Sequence, residues 1–204
     1  HMFTETMSET EKLIIEAARK VFQRSGFDGA RMQEIADEAG INKAMLHYYF
    51  RNKDKLFEAV FREAFLKNMA PIMHIIVSTD PVEVKVPVLV NQYLDTMLAN
   101  PYIPGFVLHE LNRNPERLIS LVSSSNALRT STFVSQLEQG MSEGRYRKTD
   151  PRQLLVSLLS MMVFPFVARP MLTMAFGLDD DAYQVFINDR RVEIVNAFFS
   201  MLRP

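Results

Sequence analysis

The chain has 204 residues, of which 48% are hydrophobic and 23% charged, and a net charge of −1. That balance describes a soluble globular chain long enough for one large domain or two modest ones, each with a buried core. The absence of cysteine excludes disulfides and thiolate metal sites.

His1 and Met2 read as an expression scar ahead of the native start, and no basic, apolar signal segment follows them, so the cytoplasm is the expected compartment. Ser8 with Glu11 three residues on has the pattern of a capping box. Leu13, Ala17 and Val21, beside Ile14, Ala18 and Phe22, then recur at helical spacing, and Gly26 is expected to end this first helix in a left-handed cap. A short second helix over about 32–39 buries Ile35, Ala36 and Ala39. Gly40 turns the chain, Ile41 faces inward, and Asn42 caps a third helix over about 43–49. Asn52 caps a fourth, whose apolar stripe pairs Leu56, Val60 and Ala64 with Phe57, Phe61 and Phe65.

All ten prolines lie at or beyond position 71, so a compact helical head (8–52, with a connecting fourth helix over 53–77) precedes a body of bent helices over 78–204. Body helices are expected over 82–99, 102–112, 116–143, 151–176 and 180–202. The architecture is therefore all-α, with about nine helices. Leu154 to Ala168 runs fifteen residues without a charge. Ser157, Ser160, Pro165, Arg169 and Pro170 interrupt it, and a buried helix is expected rather than a membrane span.

Two short helices joined by a glycine turn form a helix-turn-helix unit. Leu46 and Phe50, four apart, anchor its second helix to the core. Lys43, Ala44, Met45, His47 and Tyr48 then face outward near the helix start, the end that enters a major groove in such motifs. The charge supports this. Residues 41–55 carry Lys43, Arg51, Lys53 and Lys55 against Asp54 alone, and phosphate attraction depends on where charges sit rather than on their sum.

Over Gly26-Phe27-Asp28-Gly29, Ile35 to Lys43 and Leu46 to Leu56, the chain resembles the TetR family of bacterial transcriptional regulators. The resemblance implies that Lys43 to Met45 read bases and that His47, Tyr48 and Tyr49 touch phosphates and groove edges. It also implies that Lys53 meets a phosphate at the start of the fourth helix, with Arg31 near the start of the second. Two departures stand out. Ala30-Arg31 replaces the capping hydroxyl the family places before its second helix, and His47 with Tyr49 reverses the usual order of Tyr and His.

The same resemblance implies a body that binds a small effector and pairs with a second copy. A four-helix bundle through 151–176 and 180–202 is expected, with Phe186, Val195, Phe198, Phe199 and Leu202 on the facing stripe. Met69, Met73, Tyr93, Met97, Phe106, His109, Phe133 and Phe164 are the candidates to line a pocket for an apolar or aromatic ligand. The expected partners are operator DNA, that ligand and a second copy. The fourth helix is the expected lever between body and head. An alternative is a DNA-binding adaptor of the same fold that docks a protein.

Catalysis is not expected. His109-Glu110 begins like a zinc-protease helix, but Arg113 stands where the second histidine belongs. Asp179 to Asp181 lack calcium-loop spacing and suit a helix N-terminus instead. Ser123 to Ser125 lack a nucleophile-elbow frame, and no glycine-rich phosphate loop occurs. No cofactor or metal is expected.

Overall fold

The computed structural model describes residues 7–101, 103–113, 115–116 and 132–204, and contains no strand among them. Two compact units divide between Lys67 and Asn68. The division falls inside a helix, where Pro71 leaves the Lys67 carbonyl without its usual N–H partner.

The head holds α1 (Glu9–Gly29), α2 (Met32–Glu38), α3 (Lys43–Tyr49) and the first part of α4 (Lys53–Val77). The capping box forms in both directions: Glu11 N–H donates to Ser8 Oγ at 3.2 Å, and Ser8 N–H to Glu11 Oε2 at 2.8 Å. Ile14, Ala17, Ala18, Val21 and Phe22 are buried as the spacing predicts, and Ile15 joins them. Leu13 does not; it is 58% exposed, one residue outside the core stripe.

Gly26 also departs from expectation. Its φ of 67° and ψ of 179° lie outside the left-handed helical region, so it breaks α1 without ending it. One further turn, 27–29, follows before Ala30 N–H closes on Gly26 O at 3.2 Å. This backbone is open to glycine and strained for other residues. The extra turn carries Phe27 into an aromatic cluster with Phe22 and Phe57, at ring separations of 6.2 and 4.8 Å. The α4 stripe of Leu56, Phe57, Val60, Phe61, Ala64 and Phe65 is buried throughout.

The body holds α5 (Val82–Ala99), α6 (Ile103–Arg113), α7 (Thr132–Ser142), α8 (Pro151–Val167), α9 (Arg169–Phe176) and α10 (Asp180–Leu202). Residues 117–131, including Ser123 to Ser125 and most of the first half of the helix expected over 116–143, lie outside the described residues. The segment expected as one helix over 151–176 is two, bent by 71° at Ala168. Pro170 explains the break, because it cannot donate to the Phe166 carbonyl. No single helix among the described residues is long and apolar enough to cross a membrane.

The body core gathers Val86, Val90, Leu94 and Met97 of α5 against Leu158 of α8 and Tyr183, Ile187, Ile194 and Phe198 of α10. Asp179 caps α10 through Ala182 N–H at 2.8 Å, the helix-terminus role expected of the aspartate run. Arg191 fastens α10 to α5, donating to Asp95 at 2.6 Å and to the Asn91 carbonyl at 3.2 Å.

A buried lysine organises the start of the body. Lys85 Nζ donates to the Ser78 carbonyl and Gln136 Oε1 at 2.8 Å each, and to the Ile76 carbonyl at 3.3 Å. It satisfies carbonyls that the end of α4 leaves unpaired. Desolvation pulls its pKa below the ordinary lysine value, partly opposed by the charge of Asp80.

Candidate DNA interface

The turn between α2 and α3 is built from backbone hydrogen bonds. Gly40, with φ of 67°, donates to the Asp37 carbonyl at 3.1 Å, and Ile41 N–H reaches back to Ala36 O at 3.0 Å. This pair of bonds is a Schellman closure, and its left-handed residue is why glycine belongs at position 40. Asn42 then caps α3, its Oδ1 accepting from Met45 N–H at 2.7 Å. Asn52 does the same for α4 through Lys55 N–H at 2.9 Å. Each cap sits where the sequence places it. The absent one is absent too: Arg31 precedes α2 with no side-chain cap.

Leu46 is fully buried and holds α3 against the head core, while Phe50 and Ile41 are only half-buried. Ala39 is half-buried as well, a weaker inward position than its spacing suggests. The opposite face of α3 is open. Lys43, Ala44, Met45, His47 and Tyr48 are exposed, Tyr48 by 83%, and Tyr49 is half-buried with its ring 5.3 Å from that of Tyr48. His47 Nδ1 lies 3.2 Å from the Arg51 carbonyl. Only a protonated Nδ1 can donate there, so a neutral His47 turns Nε2 outward as an acceptor.

The cations of this surface divide into two kinds. Arg31, Lys43 and Arg51 are exposed and meet no acidic side chain among the described residues. Lys55 pairs with Glu58 at 3.1 Å. Lys53, expected to reach a phosphate, instead donates into the head, to the carbonyls of Phe27, Ala30 and Asp28 at 2.8, 3.1 and 3.4 Å. Arg51 belongs to the charge cluster legible in the sequence. That its guanidinium meets no partner among the described residues is visible only after folding.

Residues 14–60 match the model of the family described as bacterial regulatory proteins, tetR family. That match covers 47 of the 204 residues, all of them in the head. Its matched core includes every helix start and turn just described. The transcriptional regulator RutR of Escherichia coli is 39% identical over 66 residues, which is 32% of this chain and 31% of that protein. The match thus spans about a third of that relative's length. The body is shared in fold. A TetR transcription regulator from Haloarcula marismortui superposes with a TM-score of 0.69 at 22% identity, over 97% of this chain and 100% of that one. The regulator FadR from Bacillus subtilis, solved with stearoyl-CoA, gives 0.68 at 14% identity over 94% and 99%. The described residues therefore share their fold with these solved structures.

The residues proposed to line a ligand pocket scatter through the body of this fold. Tyr93, Met97 and Phe133 lie in the body core, with Met69 packed at its edge. Phe106 is buried, whereas Met73 and His109 are half-buried. Burial pushes the Tyr93 hydroxyl's pKa well up, so it is a neutral donor at physiological pH. Phe164 departs from this group. It is 54% exposed on α8, because the 3.6-residue period turns it away from Leu158, Met162 and Pro165.

Proposed function

We propose that this chain is a dimeric transcriptional repressor whose affinity for operator DNA falls when its body binds a small, largely apolar molecule. The observation that carries the reading is the open face of α3. A buried Leu46 locks the helix in place, and Lys43, Ala44, Met45, His47 and Tyr48 point away from the core on a head of the tetR family. In a helix-turn-helix this face lies in the major groove, with phosphate contacts around it fixing register. Arg31 and Arg51 are placed to serve as such contacts, Tyr49 lies at the groove edge, and Met45 meets base edges.

The body supplies the second half of the reading, with one change from the sequence-based expectation. Phe198 and Leu202 are buried in their own chain, and Phe186, Val195 and Phe199 pack against the same core. The apolar side chains left open are others. Val156, Leu159 and Phe164 recur at three- to five-residue intervals on one face of α8, Met171, Met174 and Phe176 follow on α9, and Val185 and Val192 stand seven apart on α10. Such an exposed set marks an association surface. A second copy is the partner that gives two recognition helices about 34–36 Å apart, the spacing of successive major grooves.

Tyr93, Met97, Phe106 and Phe133 favour a ligand dominated by apolar surface, and the FadR neighbour was solved with a long acyl chain attached to coenzyme A. Ligand binding lowers operator affinity by favouring a head separation that no longer fits the duplex. The deciding experiment is footprinting on DNA flanking the chain's own gene, repeated with Met45→Ala and with a panel of acyl and aromatic compounds. A symmetric footprint, altered base preference in the variant and release by a panel member are expected. Absence of any protected site refutes the regulator reading. A footprint that no small molecule releases favours an adaptor that docks a protein.

A further inference from the structure

We propose that Lys53 is a positioning residue of the head rather than a phosphate ligand: its ammonium clasps the turn between α1 and α2, and Arg51 carries phosphate charge in its place. The proposal rests on the DNA-binding reading above, but its structural half can be tested separately.

The clasp has a simple origin. Gly26 interrupts the helical ladder of α1, and the single turn that follows ends at Ala30, immediately before α2. A helix end leaves several carbonyls without N–H partners. Three backbone oxygens of this turn, those of Phe27, Asp28 and Ala30, converge on one point. Lys53 Nζ occupies it, at 2.8, 3.4 and 3.1 Å. An ammonium has three N–H donors and no acceptor, so its donor capacity is matched by these three oxygens. Its positive charge also lies 4.5 Å from the centre of the Phe27 ring, on the attractive face of the π system. A phosphate oxygen approaching Lys53 has to displace one of these partners.

The clasp sets geometry that the DNA face depends on. Lys53 is the first residue of α4, just past the Asn52 cap, and its acceptors end one residue before Arg31 and two before α2 begins. The side chain therefore spans 23–26 residues of sequence to hold the entry of the first helix of the motif against the exit of the second. α2 has no side-chain cap of its own. Lys53 does not replace that cap, since an ammonium cannot accept from the α2 N–H groups, but it fixes the carbonyls of the turn that leads into α2. Arg51, two residues earlier, is exposed and has no partner for its guanidinium among the described residues, although its carbonyl accepts from His47.

The test combines salt-dependent DNA binding with amide hydrogen exchange on the full chain, for wild type, Lys53→Met, Lys53→Arg and Arg51→Ala. Each phosphate contact contributes about 0.9 to the slope of log affinity against log salt. Lys53→Met should weaken binding roughly tenfold at every salt concentration, as expected when charge-assisted bonds that position the motif are lost, and leave that slope unchanged. Arg51→Ala should reduce the slope by about one contact. Lys53→Arg keeps the charge, but its planar fork cannot splay onto three converging carbonyls. It should resemble Lys53→Met.

In both Lys53 variants the Ala30 amide, bonded to Gly26 O in the native turn, should exchange at least roughly tenfold faster. A slope that falls by about one contact in Lys53→Met, or full rescue of affinity by Lys53→Arg, overturns the proposal. So does an unchanged Ala30 exchange rate. If Lys53→Met does not fold, Lys53→Arg carries the test. Failure of the wild type to bind DNA would strike the DNA-binding reading alone, and the exchange rates would still decide the clasp.

Discussion

Replacing Gly140 by alanine should destabilise the body, although the same change in most helices is favourable. Gly140 is buried in α7, and alanine normally gains about 1 kcal/mol over glycine at a helix interior. Here an added Cβ would lie 2.2 and 2.3 Å from two carbons of the Tyr146 ring. Ordinary contact begins near 3.4 Å, so the ring has to retreat by about 1 Å.

Its freedom to do so is small. The Tyr146 hydroxyl donates a short hydrogen bond to Glu83, and its backbone N–H is bonded to the carbonyl of Gly140 itself at 3.1 Å. The next residue is tied by Arg147 N–H to the Leu202 carbonyl at 2.9 Å. Overpacking of this kind costs about 1–3 kcal/mol, and displacing a hydrogen bond to a carboxylate costs about 1.5–3 kcal/mol more. Against the helix gain, the net loss should be about 1.5–5 kcal/mol. That corresponds to a fall in melting temperature of roughly 3–20 °C for a chain of this size.

Thermal and urea unfolding of Gly140→Ala should show this loss, and Gly140→Ala with Tyr146→Ala together should lose much less than the two changes added separately. A Gly140→Ala protein as stable as wild type, or more so, refutes the packing argument.

Other outcomes follow from the same structure. The hydrogen bond from Tyr146, the largest cause, holds the Glu83 pKa below its ordinary value. The stability it contributes is present above the usual glutamate range near 4.5 and lost as pH falls through the depressed value. Tyr146→Phe should therefore be less stable than wild type at pH 7, and urea unfolding should show the gap closing toward pH 3. Burial pushes Tyr146 itself up to about 12, so wild-type stability should decline as pH rises from 10 toward 12. Asn42→Ala removes the cap of a seven-residue recognition helix; a loss of about 1 kcal/mol should appear as a roughly fivefold weaker affinity, with unchanged base preference in a binding-site selection. Leu159→Glu with Phe164→Glu should give a folded monomer in sedimentation, with wild type a dimer; a wild-type monomer refutes the pairing, and a variant dimer refutes this face.

Much of the head was legible because its determinants are local. Ser8 with Glu11, Gly40, Asn42 and Asn52 act on backbone groups within five residues of themselves, so a short stretch of sequence carries the whole interaction. Gly26 was legible as a break but not as a continuation. The extra turn exists because Phe27 finds Phe22 and Phe57, and Phe57 comes from a distant helix. The open face of α3 followed from burying Leu46, since one anchored position fixes the direction of every other side chain on a short helix.

What the sequence by itself determined is most of the helical layout, the helix-turn-helix frame and the head's resemblance to the tetR family. These rest on caps, turns and apolar spacing that operate over a few residues. The tertiary structure decided which side chains on those helices are used and which remain open. Lys53 and Arg51 are two residues apart with the same charge, yet one is committed to three carbonyls more than twenty residues away and the other's guanidinium meets no partner among the described residues. In α10, Phe198 and Val192 both belong to apolar patterns, but only Phe198 meets the body core. Periodicity identifies a face and not its partner. Competition between the chain's own core and a second surface is settled when distant helices pack, and that packing was not written in any one segment.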